Sequence, residues 1–413
     1  MSEQKRVPEL RFPEFDGKLE SKTLGDFMSF KNGINADKGQ YGHGRKFINV
    51  LDIIAKKPIY HDKIIGSVSV SDKEFEKNEV KYGDILFQRS SETREEAGQS
   101  NIYLDKHNTA TFGGFVIRGR PTVKFSPLYF DALLKTSTLR KEITTKSGGS
   151  TRFNVGQDSL SAVNVTLTTD FEEQQKIANF LSSVDTKLAK LGRKKAHLED
   201  YKRGLMQQIF SLKLRFKQDD GSEFPKWEIK TLKDLAYRQT NKNVDGSVTD
   251  VFTNSATRGI VRQQDYFDKN IANADNLEGY YIVQSGDYIY NPRISVHAPV
   301  GPIGKNYLGL GVMSPLYSVF RFYQDDDRFY EFYFNSSMWH RYMKMVANYG
   351  ARHDRMNIIT EDFLAMPLPV PDYAEQKKIA DLLSTFDQKI EVVGKQIEQL
   401  EAFKKGLLQK LFV

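Results

Sequence analysis

"EQKKIADLLSTFDQKI" (Glu375–Ile390) has a near copy 202 residues earlier, "EQQKIANFLSSVDTKL" (Glu173–Leu188). Aligned without a gap at that offset, Asp170–Phe210 and Asp372–Phe412 share 18 of 41 residues. Internal repetition of this kind governs domain organisation. It also reaches upstream: "LRFPEFDGKLESKTLGDF" (Leu10–Phe27) parallels "LRFKQDDGSEFPKWEIKTLKDL" (Leu214–Leu235). "VKYGDILF" (Val80–Phe87) parallels "VQSGDYIY" (Val283–Tyr290), and "RFNV" (Arg152–Val155) parallels "RMNI" (Arg355–Ile358). The chain therefore reads as two units, each a mixed domain followed by a helix: domain 1–169, helix 170–213, domain 214–371, helix 372–413.

Both helices carry start signals. Asp170 and Asp372 stand where an N-cap is needed, with Glu173 and Glu375 three residues on to complete a capping-box-like pair. The prolines of "PLPVPD" forbid an earlier start in the second copy. The apolar positions of the first helix are Ile177, Leu181, Val184, Leu188, Leu191, Leu198, Leu205 and Ile209. Those of the second are Ile379, Leu383, Phe386, Ile390, Val393, Ile397, Leu400, Leu407 and Leu411. Steps of four and three alternate, the spacing of a coiled-coil seam. Gly192, Gly204, Gly394 and Gly406 mark where a bend or break would fall. A helix of about 40 residues runs about 60 Å, longer than a domain of this size. Equal heptad helices most simply pair with each other, and an antiparallel pair would act as a spacer between two domains related by a pseudo-two-fold axis.

Within the domains, strand-like runs ("KFINVLDII", "DILFQRS", "GFVIRG"; "GYYIVQSG", "DYIYNP", "LYSVFRFY") are punctuated by Gly, Pro and Asn. They mix with short helical stretches such as "SPLYFDALLKTSTLRKEI" and "DRFYEFYFNSSMWHRYMKMV". The class is α+β. Ser90–Gly149 and Arg293–Gly350 do not align: the scaffold repeats and the domain interiors diverge.

Composition is permissive. The formal charge of +7 over 413 residues allows an anionic partner without requiring one, and the absence of cysteine excludes disulfides and thiolate metal sites. The opening "MSEQKRVPEL" is no signal peptide and no run of eighteen apolar residues occurs, so a cytoplasmic protein without membrane contact is expected.

Catalytic motifs fail one by one. "GPIGKN" (Gly301–Asn306) has Asn306 where a P-loop needs Ser or Thr, and no glycine at Pro299. The seven histidines include no i, i+4 pair for zinc. "PDYAEQK" (Pro371–Lys377) resembles a nuclease signature, but capping explains its carboxylates. "NPRI" (Asn291–Ile294) with "YLGLG" (Tyr307–Gly311) imitates an amino-methyltransferase, yet Arg293 and Ile294 replace the proline and aromatic ring, and the two loops are too close in sequence to end separate strands of one nucleotide-binding sheet. The chain reads as a non-catalytic part.

In the order and duplication of "PELRFPEF", "GDILF"/"GDYIY", "GGSTRFN"/"GARHDRMN", "PLPVPDYAEQKKIADLL" and "KKGLLQKLF", the chain resembles the specificity subunit of type I restriction–modification enzymes over essentially its full length. The resemblance implies two target recognition domains that each read half of a bipartite double-stranded DNA sequence. It implies that the helices dock two modification subunits, which methylate adenine with S-adenosylmethionine, and through them restriction (translocase) subunits that use ATP and Mg. No cofactor is expected in this chain itself.

DNA readers need cations for phosphates and forked amides or guanidiniums for base edges. Polar-basic clusters supply candidates in the first domain: Arg45, Lys46, Gln88, Arg89, Arg94, Arg118, Arg120, Lys146, Arg152 and Asn154. In the second they are Arg258, Arg262, Asn291, Arg293, Arg352, His353, Arg355 and Asn357. Arg152 and Arg355, matched in sequence, suggest a shared structural or phosphate role; Arg94, Arg258, Arg293 and His353 are better base readers. Two other readings stay open: a stand-alone methyltransferase or nuclease, and a coiled-coil scaffold for proteins only.

Overall fold

The computed structural model describes residues 7–55, 57–266, 277–348 and 354–413. The repeated stretch forms two helices, Phe171–Phe210 and Tyr373–Leu411. Asp170 caps the first, its Oδ1 accepting from the backbone N–H of Glu172 (2.8 Å) and Glu173 (3.2 Å); Asp372 accepts from Ala374 (2.9 Å). The capping boxes expected at Glu173 and Glu375 do not form. These side chains are only 2% and 0% exposed, where a carboxylate needs a cation, and each turns instead to an arginine, Arg11 or Arg215. Neither helix breaks at its glycines.

A short β-ladder precedes each helix. Glu20–Thr23 pairs antiparallel with Asn164–Leu167, and Glu228–Thr231 with Pro367–Val370. The first ladder lacks the prolines of the second, and its helix still begins at the matched residue, because the ladder itself holds the chain extended up to the cap.

The chain divides into two units, residues 1–193 with 395–413, and residues 194–394. The first holds an antiparallel sheet ordered Met28–Asn32, Val116–Pro121, Ile85–Gln88, Ser100–Ile102. Its central strand Ile85–Gln88 is buried throughout. Alternation decides the two faces: Ile85 and Phe87 join a core with Leu24, Phe130 and Ile177, while Leu86 joins a second core with Ile48, Ile53 and Tyr103. The run "KFINVLDII", expected as one strand, splits at Asn49. Its side chain accepts from Leu51 N (2.8 Å) and starts the helix Val50–Ile54; an apolar run this short fits strand or helix equally.

The second unit has the same four-strand order: Ala236–Gln239, Ser318–Phe322, Tyr288–Tyr290, Ile303–Lys305. Tyr288 and Tyr290 enter an aromatic core with Phe320, Phe329 and Phe334, and Ile289 faces Phe252, Met313 and Val319.

Each unit also contains a piece of the helix pair. In the first, Ile177, Leu181 and Val184 share a core with Leu407, Leu411 and Phe412. In the second, Met206, Ile209 and Phe210 share one with Ile379, Ala380 and Leu383. The start of one helix meets the end of the other in both, so the pairing is antiparallel. Two ion pairs at equivalent positions fix the register: Lys404 Nζ to Asp185 (2.5 Å) and Lys202 Nζ to Asp387 (2.5 Å). The joints behind the helix ends match as well. Leu10 N donates to Lys410 O (3.0 Å) in the first unit, and Leu214 N to Gln208 O (3.1 Å) in the second.

Candidate nucleic-acid interface

Each central strand is preceded by Gly-Asp, and the aspartate pins the strand at its entry. Asp84 accepts from Lys81 N (2.8 Å) and from Arg120 Nε and Nη2 (3.0 and 2.7 Å). Asp287 accepts from Gln284 N (2.6 Å) and Arg321 Nε (2.8 Å). Both carboxylates are 1% exposed. Arg120 is therefore a partner of the sheet, with its side chain still 31% exposed. Arg118 is the more enclosed of the two. It is 6% exposed, donates to the Glu79 carbonyl and lies over the Phe112 ring.

After the strand, the chain turns in matched fashion. Gln88 N donates to Gln99 O (2.7 Å), and Asn291 N to Pro302 O (3.0 Å); 291 − 88 and 302 − 99 are both 203. Gly98 and Gly301 take positive φ at the ends of these turns. Gln88 and Asn291 are buried and serve the turns: Gln88 Nε2 donates to Ser90 O, and Asn291 Nδ2 to Asn254 O (both 2.9 Å). Turns that looked unalignable in sequence thus share one frame.

Against each turn lies the segment containing the second motif. In the first unit Phe153–Asn154 pairs with Ser90–Ser91, Val155 N donates to Arg89 O (3.0 Å), and Arg94 sits over the Phe153 ring at 5.2 Å. Arg89 itself reaches Gly114 O (3.3 Å). In the second unit Met356 N donates to Pro292 O (2.9 Å), and Arg293 bridges to Arg355. Relative to the sequence match the pairing has slipped by two residues, since 292 − 89 is 203 and 356 − 155 is 201. A two-residue slip keeps side chains on the same face but puts Arg152 and Arg355 at different places on the ladder, so their sequence match is not a structural one.

Exposed donors cluster on these turns: Arg94, Arg152 and Asn154 in the first unit, Arg293 and Asn357 in the second, with Arg355 half-buried. Arg293 holds Asp354 only at 3.9 Å with both side chains exposed, a pairing water screens. Lys146 is half-buried near Glu142 (3.5 Å). Arg45 pairs with Asp72 over Phe75, Lys46 donates to Ile64 O, and Arg262 stands 3.5 Å from Asp250. Arg258 is exposed beside Tyr266. Arg352 and His353 lie outside the described residues. Among the described residues no group of three or more His, Asp or Glu side chains is placed to hold a metal, and no helix is long and apolar enough to cross a membrane.

The helices offer a second surface. Ile177, Leu181, Val184, Ile379, Leu383 and Leu407 are buried within their own units; Leu188, Leu198, Leu205, Phe386, Ile390 and Leu400 are half-buried. Besides Tyr373 at the start of the second helix, two aromatic rings further along stand outside: Tyr201 is 60% and Phe403 52% exposed. They occupy one position of the repeat, 202 residues apart, in "LEDYKRGL" and "LEAFKKGL". A search for the seam alone passes over them, although the repeat puts an aromatic ring off the seam twice.

Comparison with known proteins gives the family and the fold. The family model described as "Type I restriction modification DNA specificity domain" matches residues 17–200 and 225–402. A putative type I restriction enzyme MjaX specificity subunit of Methanocaldococcus jannaschii is 25% identical over 412 residues, covering 95% of this chain and 92% of the relative. The type I restriction enzyme MjaVIII specificity subunit of the same organism is 25% identical over 305 residues (69% and 68%). Among solved structures, the S subunit of a type I restriction–modification system from M. genitalium superposes with a TM-score of 0.52 at 13% identity, covering 98% of this chain and 99% of that one. A chain from a structural study of complex assembly and conformational transition in the type I R-M system gives 0.57 at 14% (95% and 97%).

Proposed function

The chain belongs to the type I restriction modification DNA specificity family, and we propose that its two units each read one half of a bipartite, non-palindromic target. As a member it is a DNA-specificity subunit with two recognition domains, a role distinct from that of the methyltransferase or nuclease. One observation carries the finer reading: the Gly-Asp strand, the turn after it and the segment against that turn recur on one frame, while the side chains they present differ. Arg94 stands on one turn and Arg293 on the other, flanked by unrelated neighbours. A common frame with different donors suits a common docking mode on duplex DNA with different base readout.

Duplicated helices carrying Tyr201 and Phe403 at equivalent positions suit two copies of one partner, the modification subunit. That subunit supplies S-adenosylmethionine chemistry on adenine, and restriction subunits with ATP and Mg join through it. Exchanging residues 214–372 for the matching segment of a relative, followed by methylome mapping, tests the two-reader model. One half-site is expected to change while the other stays. A continuous palindromic target, or a change in both halves, overturns it.

A further inference from the structure

The second unit contains a cleft of about 400 Å³ bounded by the turn Ala256–Gly259, the strand Ile303–Lys305 and the helix Arg328–Phe334. That volume lies in the usual range of small-ligand sites. Asn254, 2% exposed, is part of its lining. Its Nδ2 donates to Ile289 O (2.7 Å) and Pro302 O (3.1 Å). Two carbonyls at one end fix which end is the amide nitrogen, so Oδ1 is the atom on the other side. Among the described residues nothing donates to Oδ1, and a buried acceptor left without a donor is destabilising.

The first unit shows what the frame does when this space is filled. By the turn register, Gly304 corresponds to Asn101 (304 − 101 is 203). Asn101 is fully buried, and its amide donates to the carbonyls of Asp52 (3.0 Å), Ala55 (3.3 Å) and Lys57 (2.9 Å) around the helix Val50–Ile54. In the second unit Gly304 brings no side chain, and a Cβ there would stand 3.0 Å from Asn254 Oδ1. The cleft is thus a departure from the repeated scaffold, and an acceptor stands beside the vacated position. Around it are Tyr307, 65% exposed with its hydroxyl tied to Glu331 (2.5 Å), and the exposed guanidinium of Arg258. Lys305 is already spent on Asp327.

An acceptor that wants an N–H, an anchored aromatic face and an outer cation make a consistent set. We propose that this cleft binds an amino-bearing nucleobase of a nucleotide, its exocyclic N–H donating to Asn254 Oδ1, its ring against Tyr307 and its phosphate drawn to Arg258. The nucleotide comes either from a base unstacked out of bound DNA or from a free mononucleotide; only the first source rests on the DNA-reading function proposed above.

Equilibrium dialysis of the full chain against AMP and IMP, which differ in the exocyclic group, tests the site without DNA. AMP is expected to bind saturably by millimolar concentration and at least about tenfold more tightly than IMP, since a site built for an N–H donor rejects an analogue lacking it. Gly304→Asn, which installs the first unit's residue, is expected to abolish AMP binding. Should that variant not fold, Arg258→Ala provides the second handle: it should reduce AMP affinity to that of adenosine and leave adenosine unchanged. Displacement of AMP by a duplex carrying the mapped target, but not by an unrelated duplex, assigns the site to a DNA base; simultaneous binding assigns it to the free nucleotide. Absence of saturable AMP binding, or equal affinity for AMP and IMP, overturns the proposal.

Discussion

Arg11 grips Glu173 with both sides of its guanidinium, Nε to Oε1 at 2.6 Å and Nη2 to Oε2 at 2.7 Å, although 162 residues separate them in sequence. Arg215 does the same to Glu375 (3.1 and 2.6 Å), and Trp227 Nε1 adds a third bond (2.9 Å). Each pair ties the chain entering a unit to the first turn of its long helix. Hydrogen bonding to the carboxylate holds both guanidiniums charged beyond their ordinary range.

Removing one partner of a buried, hydrogen-bonded ion pair costs about 3–5 kcal/mol. Glu375→Ala is therefore expected to destabilise the second unit by about 3 kcal/mol, the low end because Arg215 is 21% exposed. The two tryptophans, Trp227 and Trp339, both lie in that unit, so urea unfolding followed by tryptophan fluorescence reports it selectively. Glu173→Ala should shift the tryptophan midpoint much less. An unmoved midpoint in Glu375→Ala would remove this pair from the frame.

Arg94 and Arg118 should separate binding from folding. Arg94→Ala, like Arg293→Ala, is expected to weaken duplex binding with the melting temperature unchanged. If the lost contact is to phosphate, the slope of log K against log salt falls by about one. Arg118→Ala should lower the melting temperature instead, because it empties a buried position. Titrations at several salt concentrations beside thermal melts decide the assignment; a normal melt for Arg118→Ala with lost binding reverses it.

Tyr201→Glu and Phe403→Glu each place a charge on an exposed face and should leave the chain folded. Size-exclusion chromatography with modification subunits is expected to show one subunit lost for each single change and both for the double. An intact complex in the double variant puts the docking surface elsewhere.

Burial raises the Glu331 carboxyl above its ordinary range, only partly offset by the Tyr307 hydroxyl. A carboxyl raised in the fold favours the protonated state. Its stabilising contribution is present below the ordinary glutamate range and declines as pH rises from about 4 toward the raised value. Glu331→Gln should match the parent at the acidic end of that window and exceed it in stability above. Tryptophan-monitored urea midpoints across the window measure this, and parallel curves for the two proteins would exclude it.

How much of this was legible varies with the kind of signal. The helices were, because periodicity and caps are local: Asp170 and Asp372 perform as their position indicates. The fate of Glu173 was not, since capping box and long-range ion pair share the same local pattern and only the fold brings Arg11 near. Arg120 and Arg94 look alike as basic residues beside small ones. What separates them is Asp84, 36 positions from Arg120, whose burial no local window reveals. The correspondence of Gln88 with Asn291 was hidden for a related reason, being written in backbone hydrogen bonds while the side chains diverged.

The hydrogen bond from Leu214 to Gln208 closes a joint through which the backbone also runs. The bond from Leu10 to Lys410 closes the corresponding joint with no peptide link at all. Continuity of the polypeptide is thus dispensable at that place: each unit closes its joint with a hydrogen bond between its own residues. A chain opened between Gln208 and Leu214 is therefore expected to keep the second unit's joint closed by the same kind of contact that closes the first. Exchange of one unit's exposed turn residues would then leave the joints that carry them unchanged.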